Sequence, residues 1–87
     1  MNLQPEAIPL SRLEPGQRAT VVRVGGNGQA RRRYMEMGFV RGELIAVERT
    51  APLGDPVEYQ VKGYHLSLRR ADAALILVNL LTGEQNE

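Results

Sequence analysis

The 87-residue sequence contains no cysteine and no tryptophan, and only one histidine, one phenylalanine and three tyrosines. Without cysteine there is no disulfide scaffold, no thiol nucleophile, and no zinc-finger or iron–sulfur ligand set. A tight transition-metal site in such a chain needs several imidazoles or a cluster of carboxylates, and His65 stands alone among scattered acids. Ser11, Asp55 and Asp72 make no triad with it, and no enclosing cleft is foreseen for paired carboxylates, so no enzyme and no cofactor are expected. Long apolar runs are missing as well. The longest, Ala73 to Val78, falls far short of the roughly 20 residues that span a bilayer. Met1 to Glu6 lacks the basic start and apolar stretch of a secretion signal, which predicts a cytoplasmic protein with no direct membrane insertion. Eleven basic residues against ten acidic ones leave a net charge of +1, too little for a whole-protein field that grips nucleic acid or an anionic membrane. Four aromatic side chains, mostly needed for a core, supply no stacking platform, so no nucleic-acid partner is expected.

What is present reads as one small domain. The segment Met1 to Pro9 carries two prolines and no sustained alternation, so residues 1–7 are expected to form a flexible lead-in, 8–81 the domain, and 82–87 (TGEQNE) a disordered tail. Pro15-Gly16 fits the centre of a type II turn. Ala19 to Val24 reads as a strand, Gly25-Gly26-Asn27-Gly28 breaks it, and Ala30, Tyr34 and Met37 then share one face of a helix from Gln29 to Met37. Asn27 or Gly28 caps its start and Gly38 stops it. Glu43 to Thr50 is a second strand, and Ala51-Pro52-Leu53-Gly54 suits a type I turn. Val57, Tyr59 and Val61 alternate with polar residues, as do Tyr64, Leu66 and Leu68 after the Lys62-Gly63 turn. Arg70 to Leu75 makes a helical turn, and Ile76 to Leu80 a last strand. The expected fold is mainly β: a small SH3-like barrel of about five strands, with one short inserted helix and a helical turn before the last strand. An OB-fold is the alternative.

Three features stand apart from what stability requires. Arg31, Arg32 and Arg33 place cations in the first turns of a helix, against the macrodipole, and suit an acidic protein surface, phosphates or a solvated face. Phe39 and Val40 beyond the helix, and Leu53 at a turn, are apolar where polar residues would be cheaper. A leucine at a turn usually tucks back onto the barrel, and the alternative is a small exposed apolar patch used for docking. His65 and Glu58, one hairpin apart, are the only weak candidates for a metal contact.

The stretch Arg32-Arg33-Tyr34-Met35-Glu36-Met37-Gly38-Phe39-Val40-Arg41-Gly42 resembles the helix-and-turn motif of the FeoA family of bacterial ferrous-iron uptake. Ala51-Pro52-Leu53-Gly54-Asp55-Pro56 is similar to that family's most specific turn. The opening from Leu10 to Ala19 and the ending from Gly63 through Val78 are similar too, so the resemblance covers about residues 8 to 80. Arg41 departs from it, standing where the family often has proline. The resemblance implies an SH3-like accessory protein, held peripherally at the inner membrane by its partner, the ferrous iron transporter FeoB, through that protein's GTP-binding cytoplasmic domain. On that reading Arg31, Arg32, Arg33, Phe39 and Leu53 contact the transporter. The competing expectation is a direct Fe(II)-binding chaperone or a metal-sensing SH3-like module, with only weak Fe(II) binding foreseen. The charge distribution favours a protein partner: Arg12 to Arg70 holds all 11 cations against six acids, and the acidic surplus lies at the two ends.

Overall fold

The computed structural model describes residues 7–81; most of the lead-in and the whole tail, residues 1–6 and 82–87, lie outside them. The chain runs β1 (Ile8–Pro9), a single 3-10 turn (Leu10–Arg12), β2 (Arg18–Val24), α1 (Gly28–Glu36), β3 (Leu44–Thr50), β4 (Val57–Val61), β5 (Tyr64–Leu68), α2 (Arg70–Ala73) and β6 (Ile76–Leu81). All ladders are antiparallel and form one sheet in the order β1-β6-β2-β3-β4-β5. The mainly β, SH3-like architecture with one inserted helix and a helical turn before the last strand is therefore present. The two-residue β1, which pairs Ile8 with Val78, makes the strand count six. No ladder joins β1 to β5 among the described residues, so the sheet does not close.

Alternation decides which side chains meet inside. Val57, Tyr59 and Val61 of β4, Ile45 and Val47 of β3, Val21 of β2, and Ile76 and Val78 of β6 are all buried in one core cluster. Leu10 and Ala73, fully buried on the 3-10 turn and α2, extend this core beyond the sheet. A domain this small has no spare apolar surface, and no charged or polar residue is fully buried among the described ones. Lys62 and Gly63, with φ of 52° and 83°, make the tight turn between β4 and β5.

The helix begins as its sequence indicates: the Asn27 side chain accepts a hydrogen bond from the Ala30 N–H at 2.8 Å. It ends in a Schellman turn. The Phe39 N–H donates to the Tyr34 carbonyl (3.0 Å) and the Gly38 N–H to the Met35 carbonyl (3.1 Å), with Gly38 at φ +112°. This turn folds Phe39 back against Tyr34 in the core, where Phe39 is 0% exposed. Phe39, expected among the partner-contacting residues, thus has its side chain enclosed in the core of the free domain. Tyr64 also departs from its expected inward place. It is 43% exposed, and its hydroxyl donates to the Met37 carbonyl across the side-chain-free Gly38.

Candidate functional site

A groove of about 490 Å³ opens beside α1, lined by Gly28, Arg31, Arg32, Met35, Glu36 and Val40. It continues into a smaller cleft between α1 and β2, where Arg31, Met35 and Val40 face Arg23 and Arg41 over Phe39. Each position follows from local structure. Successive helical residues turn by about 100°, so Arg31 and Met35 share a face one turn apart. Val40, Arg41, Gly42 and Glu43 form a turn closed by the Glu43 N–H on the Val40 carbonyl at 2.9 Å, with Gly42 at φ +87°. Arg41 occupies the position before that glycine, where proline also fits. Met35 is 47% exposed and forms the apolar part of the groove with Val40.

The three consecutive arginines do not form one patch. They fan through about 200° of the helix. Arg31 and Arg32 line the groove, while the Arg33 guanidinium lies 5.8 Å from the centre of the Tyr34 ring. The groove's other cations, Arg23 and Arg41, come from a strand and a turn distant in sequence and were not singled out as site residues. Nothing in the spacing of the sequence joins them to the helix. Among the described residues, none of Arg23, Arg31, Arg32 and Arg41 forms an ion pair; the pairs present are Arg49–Glu58, Lys62–Glu43 and His65–Glu48.

The second exposed feature is the turn from Ala51 to Pro56. The Gly54 N–H donates to the Ala51 carbonyl (2.7 Å) and the Ala51 N–H to the Pro56 carbonyl (3.0 Å). Leu53 stands at the tip, 96% exposed, so it does not tuck back onto the sheet. Arg70 clamps the turn from outside. Its Nε donates to the Gly54 carbonyl (2.6 Å), its Nη1 to the Ser11 carbonyl (3.0 Å), and its backbone N–H to Asp55 Oδ1 (2.9 Å). Asp55 thereby supplies the helix cap that Arg69 does not give α2. Arg70 was not foreseen, because its reach to Ser11 spans 59 residues. β3 separates this turn from the groove: its seven residues, at about 3.4 Å each, put Leu53 and Arg41 beyond opposite ends of a strand roughly 20 Å long.

The two weak metal candidates are each engaged elsewhere. Glu58 Oε1 accepts from Arg49 Nε at 2.7 Å, and His65 Nδ1 lies 3.4 Å from Glu48 Oε1. No group of three or more His, Asp or Glu side chains able to hold a metal occurs among the described residues.

Two tyrosines titrate abnormally. Burial raises the Tyr34 hydroxyl, and the nearby Asp72 carboxylate of α2 adds to the effect. Burial pushes Tyr59 up to about 12, with the Arg70 guanidinium opposing and Asp55 assisting. A phenol whose folded pKa exceeds its unfolded value of 10.0 leaves stability level below pH 10 and lowers it as pH rises from 10 towards 12. Denaturant midpoints measured from pH 8 to 12 should stay flat and then fall above pH 10. Tyr59→Phe should remove part of that fall.

Fold and surface together define a small SH3-like β domain with an arginine-lined groove, a leucine-tipped turn and no assembled metal-binding cluster among its described residues. The sequence profile of the FeoA domain matches residues 8–80. The chain belongs to the FeoA family, which is associated with ferrous iron transport. It is 52% identical over 73 residues to the Fe(2+) transport protein A/Fe(2+) transporter FeoB fusion protein of Porphyromonas gingivalis, a match covering 84% of this chain and 9% of that protein's length. It resembles the solution structure of a FeoA-like protein from Clostridium acetobutylicum, with a TM-score of 0.85, 36% identity, and coverage of 97% of this chain and 98% of the other. A crystal structure of Stenotrophomonas maltophilia FeoA complexed with zinc, described as a prokaryotic SH3 domain protein, matches with a TM-score of 0.72 and 31% identity over 85% of this chain and 89% of that one. No helix among the described residues is long and apolar enough to cross a membrane.

Proposed function

We propose that this domain is a non-catalytic, cytoplasmic accessory of ferrous iron uptake. It docks on the GTP-binding cytoplasmic region of the transporter FeoB and modulates transport. The observation that carries this reading is the Porphyromonas relative, in which an Fe(2+) transport protein A segment and FeoB share one polypeptide. Covalent linkage holds two modules at high effective concentration, an arrangement useful for modules that meet. The exposed groove arginines and Leu53 supply the polar rim and apolar anchor that such contacts use.

The test is capture of FeoB's GTP-binding domain by this protein, with and without GTP. Arg31→Ala combined with Arg32→Ala, and separately Leu53→Ser, should each weaken capture by about tenfold. Leu53→Ser should leave stability within about 0.5 kcal/mol, because the side chain packs against almost nothing. Unchanged capture by these folded variants removes the residues from the contact. The zinc complex of the Stenotrophomonas relative favours a second reading, direct metal binding. Anaerobic calorimetry with Fe²⁺ decides it: micromolar binding that disappears in His65→Ala supports the chaperone role.

A further inference from the structure

Strand β2 loses one neighbour half-way along its length. On one side it is laddered with β6 as far as Val24. On the other it pairs with β3 only over Arg18–Thr20, a ladder prolonged by the Val21 N–H on the Glu43 carbonyl (3.0 Å) and the Gly42 N–H on the Val21 carbonyl (2.8 Å). Beyond Val21 the facing chain has turned away, so Val22–Val24 present an unladdered strand edge on that side among the described residues. This edge is one wall of the cleft whose other wall carries Arg31, Met35, Val40 and Arg41.

A free strand edge above an apolar floor is the geometry into which an extended chain adds as a further strand. Its main-chain groups meet the edge, and its alternate side chains point to the floor and to the rim. The rim here is predominantly cationic, with Arg23, Arg31, Arg32 and Arg41 against the acid Glu36. Arginine forks pair bidentately with carboxylates, which makes them selective for defined acidic positions. Lipid headgroups answer the charge and leave the strand edge unmatched.

We propose that this groove binds an acidic linear segment of a partner protein, extended along Val22–Val24, with apolar side chains on Met35 and Val40 and carboxylates on Arg31 and Arg41. The proposal deepens the docking reading above, and rests on it for where the partner is found.

The probe is a peptide of about eight residues alternating glutamate and leucine, enough to form one strand. It is titrated into the ¹⁵N-labelled protein alongside lysine–leucine and glutamate–serine counterparts and phosphatidylglycerol vesicles. The expected result is amide shifts at Val22–Val24, Met35 and Val40, with both counterpart peptides binding at least about tenfold more weakly. An Arg31→Glu/Arg41→Glu variant with native amide dispersion should lose the response. No shift at millimolar peptide, equal binding by either counterpart, shifts confined to β5, or binding of vesicles alone overturns the proposal. Capture of FeoB's cytoplasmic domain is run in parallel. Capture without a peptide response leaves docking standing and removes the groove, whereas a peptide response without capture removes FeoB as the partner and keeps the groove.

Discussion

Phe39→Ala should remove about 3–5 kcal/mol of unfolding free energy, the range for truncating a fully buried phenylalanine. In a domain of this size that corresponds to a fall in Tm of roughly 15–30 °C. Small domains hold about 5–15 kcal/mol in total, so the variant sits near the edge of folding at 37 °C. The size of the effect comes from position. Phe39 is the chain's only phenylalanine and the residue that the Schellman turn drives against Tyr34, so its loss opens a cavity and loosens the helix end together. Thermal unfolding followed by circular dichroism measures it. A loss below about 1.5 kcal/mol, joined to loss of partner capture, would return Phe39 to the docking surface.

Gly38→Ala should cost about 2–4 kcal/mol, although it adds a single methyl group. At φ +112° a residue with a Cβ is strained by about 1–3 kcal/mol. The new Cβ would also lie 3.0 Å from Val61 Cγ1, and Val61 is fully buried and cannot swing aside freely. The strain acts on the helix stop as well, because the Gly38 N–H and the carbonyl beneath Tyr64 belong to the same turn. Urea denaturation should show a lower midpoint with little change in slope. Asn at this position, which tolerates left-handed backbone better, should be damaged less by strain and no less by the clash. Neither change touches the groove arginines, so residual folded protein at low temperature should still bind the acidic peptide.

Much of the fold was legible because it depends on neighbours in sequence. The alternation in Val57–Val61, the Asn27 cap, the Gly38 stop and the turn at Ala51–Gly54 each rest on a few consecutive residues, and the structure reproduces them. The burial of Phe39 was not legible, because a hydrophobic residue just beyond a helix looks the same whether it meets solvent or folds back. The glycine that precedes it carries the signal for folding back. The site was less legible than the fold. Arg23, Arg31 and Arg41 lie on a strand, a helix and a turn, and only the tertiary arrangement brings them to one cleft. The run of three arginines suggested a single patch, which helical rotation divides. Arg70 and the free edge of β2 were invisible for the same reason: both depend on partners remote in sequence, present in one case and missing in the other.

The clamped turn has a bearing on how tightly Leu53 can be held. A loop that orders on binding loses about 1–2 kcal/mol of backbone entropy per residue fixed. Here the hydrogen bonds from Arg70, and those within Ala51–Pro56, have already fixed the backbone in the free domain. What remains to be lost is the rotamer freedom of one leucine, about 0.5–1 kcal/mol. If Leu53 docks as proposed, the turn arrives as a preorganised knob, and part of its affinity resides in the Arg70 guanidinium that holds the loop in the free domain.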